Sequence, residues 1–580
     1  MASSIGTKCK RVAVAMGLWH ALCPGLAPSA RADEILLPHL GSRATPDDGA
    51  RPDQVPDDAT LEAAGARIGT VRIDRQNEFD LSRPEEDTTL FRIADWLHIR
   101  TREQTVATQL LFKPGDPYDA RLLQESERLL RSNSFLRDAR IRPVAWHDGV
   151  VDVDVVTQDL WTLNPGISIG RSGGSGSTGM GISELNLLGL GSELSVSVKS
   201  NVDRSTRTMS YRDRQLAGSW WGVAAQYSNN SDGRSQELAL DHPFYALDSR
   251  WAAGAMTRSV QRVESQYELG QVIGQFRVDQ KSSTVYAGRS EGLVNGWVTR
   301  WTAGLTRDEH RVDPLAMPVP LFAAPGWAGT PPTQRQLTFP WLGIELLEDA
   351  FVKTRNQDQI GRTEDFQLGW QAQARVGVAT PGFGSDRDAV VFDARVSRAM
   401  QDTPAQTLEV AASASGRVES GRLEGAMFSA SGRYYFRHSP QAASFLSLAV
   451  DHGVRLEADQ QLLLGGDNGL RGYPMRYQSG SGRWLFTAER RAFSDWYPWR
   501  LFNVGGAVFF DMGRTWGSMG SPDASGTAAQ GVLRDLGFGL RLGNSRSALG
   551  SVVHIDLAFP FDGDASIRKV QFLIETRRSF

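Results

Sequence analysis

The chain is nearly without cysteine, has no apolar run of helical membrane length and carries no excess of positive charge. Each absence removes a class of function. Its 580 residues include 2 cysteines, and both, Cys9 and Cys23, fall in an amino-terminal stretch that reads as an export signal. The exported remainder is therefore expected to have neither disulfides nor thiolate chemistry. The apolar segment Val12 to Leu22 is too short to cross a bilayer as a helix, and a mean hydropathy of -0.32 argues against a helical membrane protein. A balance of 63 Lys and Arg against 66 Asp and Glu gives no basic face for nucleic acid.

Reaction chemistry is also missing. The 9 histidines are scattered without metal-ligand spacing. There is no G-x-S-x-G elbow and no phosphate-cradling loop. His438, His452 and His554 are the histidines nearest to acidic or hydroxyl neighbours in strand-like sequence. His452 follows Asp451, but adjacent strand residues point to opposite faces. His554 and Asp556 share a face and come closest to a catalytic pair, yet read better as polar lining of an interior. The expectation is a protein with no enzymatic activity, no cofactor and no metal.

Glycine (59 residues) and tryptophan (16) are plentiful, as they are where tight turns and interfacial aromatic girdles recur. From about Trp161 onward the chain alternates apolar with polar or small residues. The pattern is clear in Leu194–Lys199, Phe366–Val378, Phe538–Leu542 and Ile555–Phe559. This predicts a mostly β fold, a transmembrane antiparallel barrel over residues 160–580 whose every second residue faces water. The Pro-rich stretch Asp313 to Pro340 is the best candidate for a long external loop.

The two ends fit export to a bacterial outer membrane. Lys8, Lys10 and Arg11, an apolar core and Ala30-Arg31-Ala32 make residues 1–32 a signal peptide. At the carboxyl end Val570, Phe572, Ile574 and Phe580 share one face of a strand that finishes on an aromatic residue. Arg578 interrupts that face near the membrane edge, where a cation costs only about 0–1 kcal/mol.

Between signal and barrel, residues 33–64 are rich in Pro, Asp, Ala and Gly and predict a flexible lead-in. Residues 65–159 predict a compact α+β unit. Ile68, Val71 and Ile73 suggest a first strand. Thr101-Arg102-Glu103-Gln104 has the form of a capping box opening a helix with Val106, Leu110 and Leu111 inward. After Pro117-Tyr118-Asp119 a second helix follows, its stripe formed by Leu122, Leu123, Ser126, Leu129 and Leu130. Ala139–Trp146 and Val151–Val156 make a hairpin through Asp148-Gly149.

The most informative stretch is Leu463-Leu464-Gly465-Gly466-Asp467-Asn468-Gly469-Leu470-Arg471-Gly472-Tyr473. Two acidic strand positions follow it. In Trp484–Arg491, Glu489 has the parity opposite to Trp484, Phe486 and Ala488. In Phe502–Gly513, the even positions Phe502, Val504, Val508, Phe510 and Met512 are apolar. Asp511 shares the inward parity of Asn503, Gly505 and Ala507, and Phe509 is the exception. One loop arginine facing two inward acids makes a plausible latch.

These motifs resemble the BamA/TamA superfamily of outer-membrane assembly factors, the bacterial surface antigen family. The resemblance implies about sixteen barrel strands and a loop that folds back into the barrel. Its tip would be Arg471, Gly472 and Tyr473, docking on Glu489, Asp511 and Gly513. Phe572, Ile574 and Phe580 would be the barrel's carboxyl-terminal signal. The strand–helix–helix–strand–strand order of residues 65–159, with Gly115-Asp116-Pro117-Tyr118-Asp119 and Asp148–Val153, resembles a single POTRA domain, placed in the periplasm. Gln158–Leu163 resembles the passage into the barrel and Glu184–Gly191 a hairpin after the second barrel strand. The implied partners are outer-membrane lipid, unfolded outer-membrane or secreted client proteins and periplasmic accessory proteins, and the implied role is insertion or translocation of those clients. Two alternatives stay open, a two-partner-type secretion pore and a passive or lipid-handling barrel.

Overall fold

A computed structural model describes residues 51–78, 98–315, 333–355, 363–439, 441–494, 502–517, 531–544, 552–563 and 567–577, with isolated positions between them. The signal peptide, the lead-in as far as residue 50, Arg578 and Phe580 lie outside the described residues.

A small domain comes first. Helix α1 (Asp58–Ala63) and strand β1 (Arg67–Gln76) precede the helices α2 (Glu103–Ala107) and α3 (Ala120–Arg131). Strands β2 (Leu136–His147) and β3 (Val150–Asp159) complete a sheet of order β1-β3-β2, parallel between β1 and β3 and antiparallel between β3 and β2. Asp148 (φ 49°) and Gly149 (φ 78°) make the tight turn between β2 and β3, the positive-φ pair that matches strand twist. Leu61, Ile68, Val106, Leu123, Leu130, Phe135 and Val153 fill the core.

Two expectations are corrected here. The lead-in is not irregular throughout, because α1 occupies its end, capped by Asp57 and anchored by the fully buried Leu61. The capping box is not made: α2 begins at Glu103 with no side-chain cap and ends before Leu110. Thr101 instead gives its N–H and its hydroxyl to Asp159 at 2.8 and 2.9 Å. A buried carboxylate at the end of β3 outcompetes a helix terminus for that hydroxyl.

Asp119 caps α3 by accepting from the N–H groups of Arg121 and Leu122.

The remainder forms a closed antiparallel barrel. Its first six strands are β4 (Leu163–Ser172), β5 (Ser175–Leu187), β6 (Ser192–Ser200), β7 (Ser205–Asp213), β8 (Gly222–Asn230) and β9 (Gly233–His242). Four longer ones follow: β10 (Trp251–Glu268), β11 (Gln271–Val294), β12 (Trp297–Pro314) and β13 (Thr333–Glu348). A separate hairpin, β14 (Phe351–Arg355) with β15 (Thr363–Gln367), stands between β13 and β16 (Trp370–Ala379). Next come β17 (Ala389–Thr403), β18 (Gln406–Glu419), β19 (Arg422–Ser439) and β20 (Ala442–Val454). The short pair β21 (Leu462–Leu464) and β22 (Gln478–Gly480) belongs to the loop that follows β20. The wall ends with β23 (Gly482–Phe493), β24 (Phe502–Trp516), β25 (Leu533–Asn544), β26 (Val552–Pro560) and β27 (Gln571–Arg577).

Twenty strands close the ring among the described residues, not the sixteen expected. The extra length came from connections shorter than a membrane barrel's loops were expected to be. Leu269-Gly270, Asn295-Gly296 and Ser420-Gly421 all turn with paired positive φ, reversing the chain in two residues. The stretch expected as a long external loop is narrowed at both ends, since β12 runs to Pro314 and β13 starts at Thr333, and residues 316–332 between them lie outside the described residues. Twenty strands rather than sixteen widen a barrel by about a quarter, because diameter grows roughly linearly with strand number.

Ile167, Met180, Leu342, Val376, Val508 and Phe538 are exposed on the outer face, which supplies the apolar surface a barrel presents to lipid. No helix among the described residues is long and apolar enough to cross a membrane. Closure is thin at one place. β27 and β4 share the single registered pair Ile574 and Arg171, whereas β4 and β5 share ten from Leu163–Glu184 to Ser172–Ser175.

The small domain lies against one end of the barrel, called here the near end. Asn186 Nδ2 donates to Thr101 (2.9 Å), Thr105 donates to the Gly189 carbonyl (2.9 Å) and Gln215 Nε2 to the Thr108 carbonyl (3.2 Å). Asp248 accepts from Arg121 at 2.5 Å. These connections precede β6, β8 and β10, and the β14–β15 hairpin adds a contact before β16. A domain touching turns spread over that much of the rim lies across the near mouth rather than beside it.

Candidate functional site in the barrel lumen

The connection from β20 to β23 enters the barrel from the far end. It leaves the wall under ionic restraint. Glu457 accepts from Arg335 at 2.5 Å and lies 2.7 Å from Arg417, and Asp459 lies 3.3 Å from His310 and 3.8 Å from Arg262. On its return limb Arg476 makes a two-pronged contact with Asp203 (2.6 and 2.7 Å), its guanidinium 4.4 Å above the Tyr267 ring. The segment between is buried. Leu464, Leu470, Tyr473 and Tyr477 pack with Leu533 into an apolar cluster.

Arg471 sits at the tip with 4 % of its surface exposed. Its Nε and Nη2 donate to the two oxygens of Asp511 at 2.7 and 3.0 Å, a bidentate fork, and Nη1 donates to Glu489 at 3.1 Å. The same Nη1 lies 3.6 Å from Asp556. Phe509, which breaks the alternation of β24, points inward, and its ring lies 3.3 Å beneath the guanidinium carbon. The apparent exception is thus a ring face for a cation. Thr487 donates to Asp511 at 2.9 Å from the neighbouring strand.

The wall behind is itself an ion network. Arg491 donates to Glu489 at 2.8 Å, and Arg541 to Asp556 at 2.5 Å and to Glu489 at 3.4 Å. Three guanidiniums therefore face Asp511, Glu489 and Asp556 on four consecutive strands. Such a network keeps buried charge balanced, so a missing member leaves the others uncompensated.

The residues flanking Arg471 fix its approach. A Cβ on Gly472 would stand 2.5 Å from the Asp535 Cβ, so only glycine lets the tip reach the wall. A Cβ on Gly513 would meet the Trp484 carbonyl at 2.8 Å and Leu464 at 2.9 Å, so Gly513 makes room for the loop's base. The Tyr473 hydroxyl donates to the Arg534 carbonyl at 2.8 Å and accepts from the N–H groups of Arg534 (3.1 Å) and Asp562 (3.2 Å). Tyr473→Phe should strip a buried hydroxyl from those partners, at about 1–3 kcal/mol. Thermal unfolding followed by gel mobility checks this; an unshifted transition would mean that the hydroxyl does not pin the tip.

The structure brings Arg471, Gly472, Tyr473, Glu489, Asp511 and Gly513 together. Phe572 and Ile574 lie apart from them, on β27 beside the thin closure. Reading the sequence alone missed Arg491, Arg541, Asp535 and the role of Asp556. Inward parity was visible for Arg541 and Asp556, but which inward residues oppose each other depends on register across strands. Asp556 is committed to arginines, and among the described residues no group of three His, Cys, Asp or Glu could hold a metal. His452 is exposed and stacks on Trp516, while Asp451 is buried against Ser429 and Arg483.

No protein-family model matches the chain, and no curated protein matches it. Solved structures do. CdiB from Acinetobacter baumannii aligns at 15% identity over 88% of this chain and 74% of its own, with a TM-score of 0.44. CdiB from Escherichia coli aligns at 13% identity over 88% and 76%, with a TM-score of 0.45. BamA from Haemophilus ducreyi lacking POTRA domains 1-3 aligns at 13% identity over 88% and 85%, with a TM-score of 0.38. Those CdiB and BamA structures are what this chain is similar to.

Proposed function

We propose that the chain is an outer-membrane assembly or translocation factor of the BamA/TamA type, with the small domain as a single periplasmic POTRA domain. The observation that carries this is the buried Arg471 fork on Asp511 and Glu489, at the tip of a loop that enters the barrel. The thin closure between β4 and β27 supports a mechanism. Unpaired backbone in lipid costs several kcal/mol per group, so an incompletely paired seam favours an incoming strand. A client strand would add to the edge of β4, while the latch holds the wall on the other side of the seam rigid. No chemical step is required, and the work is strand exchange.

The wider ring favours a second reading, passage of one unfolded exoprotein through the lumen. Depletion of the protein, followed by a census of the outer membrane and the culture medium, separates the two. Loss of several barrels from the membrane is expected for insertion, and loss of a single secreted protein for translocation. An unchanged census would defeat both.

A further inference from the structure

Arg395 of β17 is a cation on the lumen wall that no acid answers. Val376, Val378 and Val390 are exposed on the outer face of β16 and β17, so Gln371, Gln373, Arg395 and Ser397, of the opposite parity, face inward. Other inward arginines of the ring have acids. Arg258 lies 3.9 Å from Glu237, Arg300 donates to Glu345 at 3.0 Å, Arg433 lies 3.6 Å from Glu409 and Arg483 donates to Asp451 at 2.8 Å. Arg395 makes no ion pair and no hydrogen bond among the described residues. The charges around it are Arg433, a second cation, and Asp393, two residues along the strand. A guanidinium carries five donors in a fixed fork, so here one half of a contact stands open.

Arg395 lines a recess of about 240 Å³ together with Glu345 of β13, Gln371 and Gln373 of β16, and Ser397. Register sets Gln373 beside Arg395 and Gln371 beside Ser397. The Gln373 amide nitrogen is buried without a hydrogen-bond partner, an unfavourable state for a donor. The Ser397 hydroxyl also has none among the described residues. The remaining polar groups are committed, Gln371 to Gln367 at 2.6 Å and Glu345 to Arg300. Three donors of different kinds therefore share one recess.

A carboxylate matches them. Its two coplanar oxygens fit the arginine fork, and the amide and hydroxyl can serve its remaining lone pairs. Glu345 lines the same recess, so a singly charged group is favoured over a phosphate dianion, which would face that acid. Position indicates what carries the carboxylate. Gln373 is the fourth residue of β16, so the recess lies just inside the near mouth. The β14–β15 hairpin below it holds the small domain, Asp365 accepting from Arg131 at 2.8 and 2.7 Å. Ten strands separate the β13–β16 junction from the β4–β27 closure in either direction. A chain held here would lie in the lumen, across from the seam.

We propose that Arg395, Gln373 and Ser397 form a carboxylate-binding site on the lumen wall, which takes the Asp or Glu side chains of an extended polypeptide entering by the near mouth. The inference deepens the translocation reading and rests on it for the chain that brings the carboxylate.

The test uses the full-length protein in lipid nanodiscs and a fluorescently labelled peptide of alternating Glu and Ser, with a Gln and Ser counterpart as control. By fluorescence anisotropy the parent should bind the acidic peptide and not its counterpart. Arg395→Gln should weaken binding about tenfold, and Gln373→Leu, which keeps the bulk and removes the donor, about fivefold. Arg395→Lys should fall between parent and Arg395→Gln, since charge returns without the fork. Acetate should displace the peptide at lower concentration than inorganic phosphate. Heat-modifiable migration of all three variants should match the parent's, because no ion pair is broken. Parental affinity in both Arg395→Gln and Gln373→Leu would overturn the site. Parental affinity in Arg395→Lys would overturn recognition by the fork, and phosphate as the better competitor would overturn the carboxylate. Altered migration of Arg395→Gln would reveal a structural partner and overturn the open contact. Peptide binding is read independently of the depletion census, so failure here is distinguishable from failure of the translocation reading.

Discussion

Replacing Arg471 with alanine is expected to destabilise the barrel by roughly 3–5 kcal/mol, the range for removing one partner of a buried ion pair. Asp511 loses both hydrogen bonds of its fork and keeps Thr487 and the neighbouring Asp535 carboxyl, and Glu489 keeps Arg491 and Arg541. Three carboxylates would then share two guanidiniums in a space closed to water. Arg471→Lys should fall between, because an ammonium restores the charge without the planar fork. Heat-modifiable gel migration reads the stability, and complementation of a depleted strain reads the function. The chain is expected to reach the membrane as the parent does, since residues 1–32 are unchanged. Parental migration and full complementation by the alanine variant would mean that the tip does not hold the barrel.

Locking the seam should have an effect of similar size on function and little on stability. Arg171 and Ile574 are register partners across the closure, so cysteines at both positions stand within the reach of a disulfide. Oxidised, the Arg171→Cys, Ile574→Cys variant should stop assembling clients, and reduction should restore activity. Ion conductance in planar bilayers should be the same in both states, because the lumen is unaltered. Client assembly that continues with the bond formed would rule out strand threading at this closure.

The local features of the fold were legible and the relations between distant parts were not. Alternation in Leu194–Lys199 or Ile555–Phe559 states which residues share a face, and hairpins such as Asp148-Gly149 announce themselves through turn chemistry. Arg471, Glu489 and Asp511 were legible because each is a charge in a context that penalises it unless paired. Asp556 and Arg541 carry the same kind of charge, but their partners are set by register with other strands, which no local pattern encodes. The strand count failed for a related reason. Sixteen came from the resemblance rather than from a count along the chain, and strands as unequal as the 24 residues of β11 and the 9 of β6 defeat a uniform spacing. Thr101 shows the limit of motif reading, because its hydroxyl answered to Asp159, a residue far along the chain.

One contact joins features that the two variants above address separately. Gly173, in the turn between β4 and β5, lies so close to the latch loop that a Cβ there would come within 2.1 Å of the Met475 nitrogen. The loop therefore acts as a strut from the hairpin that begins the ring to Asp511 near its end. A push on one foot of that strut reaches the other without passing through the wall. Loosening the tip and fastening the seam should consequently give a combined effect that departs from the sum of the two.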